Sequence, residues 1–410
     1  MVLLSSRTGT PEHPGRKSSV IEKYVSLLLC VLGIVIIPRT VLLADNCKSN
    51  AGLVKSVEAV GYVEKTIYHS PETPGYTAWV GLWQIPDGRI RCGFLQLTGP
   101  KGNIKSHTPN MESVDGGETW KMLPLPPTDF ESGRGMAVLS DGTLVRPVQI
   151  SPSVGYVQRS EDGGKSWSEP IYLLPLETHY VSTAFLHPLR DGRIVLFAGI
   201  WKRDDVAVGG VLMPYPHSRK RKMMFISPDK GLTWGKPIEL MSLEDGVCAE
   251  SDFCELPDGD LFWVHRCEVY PSKLTDIPPG AARQGLKASD PWYKFYSVRK
   301  QSITRKTGDT FVPEKPELMK GVPHSGHPMI VYTQEGIILN FQRDAIYWTA
   351  DLGKHWEELN VNVPAITWYP NAMQLADGKI ICISHVGLDD EYGTVDQSIF
   401  QQTFRLKVVR

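Results

Sequence analysis

The sequence predicts an all-β chain folded as a six-bladed β-propeller, and three observations carry the prediction. Four segments repeat one turn pattern, six short apolar hairpins interleave with them, and no long run after Ala44 has helical periodicity. The repeated segments are Ser113–Trp120, Ser160–Trp167, Ser227–Trp234 and Thr349–Trp356, each with aspartate third, glycine fifth and tryptophan eighth. Thr304–Phe311 is a degenerate fifth copy, with Lys306 where the others have aspartate. The composition suits a tight turn. An aspartate carboxylate bonds nearby backbone N–H groups, glycine takes the positive-φ position, and the aromatic ring covers one side.

The hairpins turn at Asp87-Gly88, Asp141-Gly142, Asp191-Gly192, Asp258-Gly259, Glu335-Gly336 and Asp377-Gly378. An Asp-Gly pair between apolar segments is a strong short-range hairpin signal. Phe253–Leu256 and Leu261–Val264 flank one such turn, Ala372–Leu375 and Ile380–Ile383 another. Six hairpins set six blades. The sixth has no repeated turn of its own and is expected to be finished by Phe400–Val408, paired with Tyr62–Tyr68 to close the ring and remove the exposed edge. Two long loops, Arg203–His217 and Glu268–Pro291, are expected at the rim, where function concentrates.

Bulk composition sets limits. With 44 basic and 45 acidic side chains the formal net charge is −1, so no global field draws the chain to nucleic acid. The basic run Arg219–Lys222 reads as a solvated strand entry. At the N-terminus Arg7, Arg16, Lys17 and Lys23 precede an apolar stretch, Val25–Ile37. That stretch is shorter than the roughly 20 residues a membrane span needs. It fits an export signal cleaved near Ala44-Asp45, or, extended by Val41–Leu43, a membrane attachment through residues 25–44. The expected organisation is a leader over 1–44 and one propeller over 45–410, secreted or in the periplasm or cell envelope. Cys47, Cys92, Cys248, Cys254, Cys267 and Cys382 contain no C-x-x-C pair, so buried thiols are expected rather than a zinc or redox site. No Asn-x-Ser/Thr acceptor occurs.

Turn consensus and hairpin spacing together resemble the sialidase (neuraminidase) superfamily, whose repeats are called Asp boxes or BNR repeats, from about Thr66 to the C-terminus. The resemblance implies roles for four residues. Glu250 precedes an apolar hairpin whose far strand ends in Arg266, Arg343 lies six residues before Thr349, and Tyr369 precedes the last hairpin. In such a family Tyr369 would be the nucleophile, Glu250 its base, and Arg266 and Arg343 the groups that bind a substrate carboxylate. The chemistry is coherent. A neutral phenol approaches a carboxylate-bearing carbon without like-charge repulsion, but with a pKa of about 10 it needs a base in reach. Arginine grips a carboxylate with a planar fork that lysine lacks.

The first blade departs from the family pattern. Where an arginine is expected the chain reads Gly75-Tyr76-Thr77-Ala78-Trp79-Val80, and the loop Thr98–Glu112 holds no aspartate for an acid. His107, on that loop, is a candidate replacement acid, and Asp204 and Asp205 are others. His324 and His327 have no acidic or thiol partner nearby in sequence, and neither a metal nor a cofactor is implied. Two functions follow as expectations. One is a sialidase-like exo-glycoside hydrolase that releases a terminal sugar from an extracellular glycan or glycoconjugate, with a polysaccharide lyase as a minor variant. The other is a non-catalytic glycan- or protein-binding Asp-box propeller.

Overall fold

The structure, a computed structural model, describes residues 54–410 except 73–74, 101–102, 125–134, 152–153, 203–206, 209–210, 213–220, 243–246, 270–281, 284–295, 324–325, 362, 364–366 and 387–397. The leader over 1–44, Cys47, Asp204, Asp205, His324 and most of the two long loops fall outside the described residues. Every described element is a β-strand.

The repeated turns are built from side-chain bonds to the backbone. Asp115 Oδ1 accepts from Thr119 N at 2.9 Å and from Ser113 Oγ at 2.7 Å, while Oδ2 accepts from Thr119 Oγ1. Ser113 Oγ accepts in turn from Gly117 N at 2.8 Å. The same set recurs around Asp162, Asp229 and Asp351. Gly117 has a φ of 89°, and a Cβ there would lie 2.6 Å from Ile381 Cδ1, so only glycine fits. Two of the turns also dock on a neighbouring sheet. Gln401 accepts from Trp120 Nε1 at 2.6 Å and donates to Gly117 O at 3.0 Å. Gln301 does the same for Trp356 and Gly353, at 2.8 and 2.9 Å.

The strands form sheets of unequal size. A terminal sheet of four strands runs in the order Ser56–His69, Ser398–Val409, Ile380–Val386, Thr367–Gln374. A five-stranded sheet occupies Gly75–Met122, a seven-stranded sheet Ala137–Met241, a six-stranded sheet Val247–Leu318 and a second four-stranded sheet Met329–Glu358. A separate two-stranded ribbon pairs Ala207–Val208 with Val211–Leu212. Six four-stranded blades are therefore not what the hydrogen bonds draw, and the expectation of a six-bladed propeller with Asp-box repeats is corrected. The architecture is all-β, in open sheets that neither close nor curl into a propeller or barrel. The physical reason lies in pairing. Between Val154–Ser160 and His179–Pro188 a parallel contact at Val154 and Val181 joins what the hairpins divide into two blades. The repeated turns report local geometry only, whereas strand count depends on such long-range partners. The expected pairing of the first strand with the last is present over Ser56–His69 and Ser398–Val409, but Ser56–His69 remains an edge strand.

The sheets pack face to face through apolar clusters. Phe185, Phe197 and Met224 of the seven-stranded sheet meet Phe253, Trp263 and Cys267 of the six-stranded one. Phe262 and Val264, on the other face of the same strand, meet Ile330, Ile338 and Tyr347. Period-two alternation thus buries both faces of Leu261–Val269. Each fully buried side chain of this size contributes roughly 1.5–3 kcal/mol. Cys92, Cys254, Cys267 and Cys382 are buried, as expected from their spacing.

Candidate functional site

Several strands carry a β-bulge, among them Gly75–Gln84 between Ala78 and Gly81, His179–Pro188 between Thr183 and Phe185, Val247–Glu255 between Cys248 and Glu250, and Thr367–Gln374 between Trp368 and Asn371. A bulge breaks alternation and re-aims the side chains around it. Among the described residues, four non-glycine residues have positive φ. Lys230 and Leu352 sit in the repeated turns, at the position that Gly116 and Gly163 fill in other copies. Trp79, at 52°, and Tyr369, at 49°, sit in bulges. Backbone strain of that kind persists where surrounding structure enforces it, and it clusters at functional sites.

Tyr369 is half-buried between two imidazoles, with ring centroids 5.7 Å from His327 and 5.8 Å from His385. The preceding residue, Trp368, carries the guanidinium of Arg343, whose Cζ lies 4.8 Å from the indole centroid. The Arg343 carbonyl accepts from Thr367 N at 3.3 Å, which ties the loop after Ile338–Phe341 to the strand bearing Tyr369. Arg343 Nε is buried without a hydrogen-bond partner, and no acidic side chain among the described residues pairs with this arginine.

Glu250, Arg266 and Arg299 stand in register on three adjacent strands and so share one face of the six-stranded sheet. Arg266 Nη1 donates to Glu250 Oε2 at 3.1 Å, both groups half-buried. Arg299 is only 2% exposed and donates from Nη2 to Gly326 O at 2.5 Å, with Gln342 Oε1 at 3.5 Å. Gly326 in turn lies against Arg343, since a Cβ built on it would be 3.3 Å from Arg343 Cβ, and it precedes His327. Contacts therefore run from Glu250 and Arg266 through Arg299 and Gly326 to Arg343, and through His327 to Tyr369. Asn340 and Gln342, both buried, add amide atoms that lack hydrogen-bond partners.

His107 ends the short strand Lys105–His107, opposite Gln96, and makes no hydrogen bond or ion pair among the described residues. Sequence reading missed Arg299, Asn371 and His385. Arg299 stands in the mixed strand start Tyr296-Ser-Val-Arg-Lys-Gln, and all three take their places through pairing that no local motif reveals.

The hydrolase expectation is corrected along with the fold. Among the described residues no group of three or more His, Cys, Asp or Glu side chains gathers to hold a metal, and no catalytic triad is assembled. The five-stranded sheet supplies neither the family's arginine nor an acid aspartate. The binding-propeller alternative falls with the propeller itself.

No family model matches the chain, and no curated protein matches it either. Solved structures do resemble it. A Dyadobacter fermentans DSM 18053 protein of unknown function has 17% identity and a TM-score of 0.57, over 87% of this chain and 100% of the other. An α-L-arabinofuranosidase of Fusarium graminearum has 13% identity and a TM-score of 0.57, over 84% and 98%. An intramolecular trans-sialidase from Ruminococcus gnavus has 11% identity and a TM-score of 0.52, over 83% and 96%. The sialidase resemblance thus stands no nearer than one to an arabinofuranosidase, and what these structures establish for the chain is a distant likeness of fold, not membership of a family.

Proposed function

We propose that this chain is a binding protein for a small carboxylate-bearing ligand, taken up by Arg343 and faced by Tyr369. One observation carries the reading. The Arg343 guanidinium is laid on Trp368, with a buried Nε that bonds nothing and no acidic partner among the described residues. A guanidinium stays charged at any physiological pH, and burying it unpaired is costly. Stacking on an indole fixes its plane, which leaves the fork oriented for two parallel bonds to a carboxylate. Arg299, beyond the Glu250–Arg266 ion pair in the same row, adds one positive charge along the same chain of contacts. Glycoconjugates ending in an acidic sugar have the required chemistry. The basic and apolar leader in the sequence supports an encounter outside the cytoplasm.

Calorimetric titration with glucuronate, galacturonate and N-acetylneuraminate, each beside a neutral sugar, tests this. A carboxylate should bind at least ten-fold more tightly than its neutral counterpart, because a charge-assisted bond contributes about 1.5–3 kcal/mol. Arg343→Met should remove the preference and Arg343→Lys should restore only part of it. Equal binding by wild type and Arg343→Met would end the proposal.

A further inference from the structure

We infer that Trp79 is the second wall of this site: an indole platform for the flat face of a ring-shaped hydroxy acid, held in common with Tyr369 by the amide of Asn371. The inference rests on the carboxylate reading and narrows it to a cyclic ligand with one apolar face.

Trp79 is 44% exposed, unusual for the largest apolar side chain in a sheet whose neighbouring Val80 is fully buried. It does not sit in a tight turn. Ala78 pairs with Leu95 and Gly81 with Gly93, so the bulge lies mid-strand and turns Val80 into the core while leaving the indole outside. Positive φ is disfavoured there for any residue with a Cβ, and no glycine has replaced it. Tyr369 repeats the arrangement: an aromatic residue of positive φ in a mid-strand bulge.

The two bulges are coupled. Asn371 Nδ2 donates to Val80 O at 2.6 Å and to Tyr369 O at 3.2 Å, so a single amide fixes the backbone on either side. A group that ties two strained segments together keeps both aromatic side chains in fixed register. Asn371 is accordingly a positioning residue. The C–H face of a pyranose ring fits the negative face of an indole, while its equatorial groups point away in the ring plane. A carboxylate in that plane is then free to meet the Arg343 fork. An open-chain acid of equal charge has no such face.

Titration of glucuronate against open-chain gluconate separates the two ideas. Wild type should prefer the ring by about ten-fold, the worth of one good aromatic contact. Trp79→Ala should remove that preference while leaving gluconate affinity unchanged, and Trp79→Phe should restore most of it. Saturation-transfer NMR should show the ring protons of one glucuronate face strongly saturated in wild type and not in Trp79→Ala. Asn371→Ala should weaken glucuronate more than gluconate, and Asn371→Asp should not rescue it, because a carboxylate cannot donate to the two carbonyls. If wild type binds both acids equally, or Trp79→Ala keeps the ring preference, the platform is wrong although Arg343 still captures carboxylates. If neither acid binds and Arg343→Met changes nothing, both the platform and the carboxylate reading fall.

Discussion

The repeated turns and the bulged strands treat polar groups in opposite ways. In each turn the aspartate is saturated, its two oxygens shared among a hydroxyl, backbone N–H groups and a second side chain. Where φ is positive the turns mostly use glycine. At the bulges of Gly75–Gln84 and Thr367–Gln374, aromatic residues take the strained backbone, and in the segment 340–343 the Arg343 guanidinium keeps an unbonded Nε while the Asn340 amide and Gln342 Nε2 go unmatched. Saturated polar groups stabilise a fold and leave nothing to offer a ligand. Strain and unmet hydrogen bonds cost stability, so their concentration in one place marks where a ligand repays them. In this chain the repeats locate architecture, and the departures from the repeats locate the site.

If that division is right, acid should attack the turns first. Asp115 and Asp162 are held below the usual carboxylate range chiefly by the hydroxyls of Thr119 and Ser166. For Asp229 and Asp351 burial is the largest single influence and pushes upward, but the bonds from Thr233 and His355 together outweigh it. A carboxyl whose folded pKa is depressed contributes stability that is present above its unfolded value, about 3.9, and lost as pH falls through the folded one. Melting temperature should therefore hold level down to about pH 5 and drop steeply below about pH 4. A melting curve that stays flat to pH 2 would show that the turns contribute nothing.

A single-site version is smaller. Asp229→Ala removes the acceptor for Ser227 Oγ, Thr233 N and Thr233 Oγ1 and should cost about 1–3 kcal/mol in denaturant unfolding. Glucuronate affinity should not change. A parallel loss of binding would blur the boundary between the two regions. Smaller still, Lys230→Gly replaces the strained residue at 58° with the glycine that other copies use. Its exposed pair with Asp141 contributes little, so a gain of about 0.5–1 kcal/mol is expected. Destabilisation by the glycine would mean that the left-handed backbone in the turn carries no strain.

Legibility followed the range of the interaction. The turns and hairpins depend on residues close in sequence, and Asp115 or Gly117 announces its role by type and spacing alone. The join between Val154 and Val181 has no local mark, and it is what turns two expected blades into one seven-stranded sheet. At the site, Glu250, Arg266, Arg343 and Tyr369 all rest on the resemblance. One hairpin places Glu250 and Arg266 in register, whereas the connection of Arg343 and Tyr369 through His327 and Trp368 is visible only in three dimensions. In the sequence Trp79 stands only in a segment that lacks an arginine; its positive φ and its bulge exist only in the folded strand.

The pairing of Ser56–His69 with Ser398–Val409 has a temporal consequence. During translation Ser56–His69 waits, for tens of seconds at ordinary elongation rates, until Ser398–Val409 emerges. Until then its ladder groups are open to any other nascent edge, and closing so long a loop makes this the slowest contact to form. Ribosomal pausing or loss of Ser398–Val409 would expose that orphan first, and association between unfinished chains is the failure it invites.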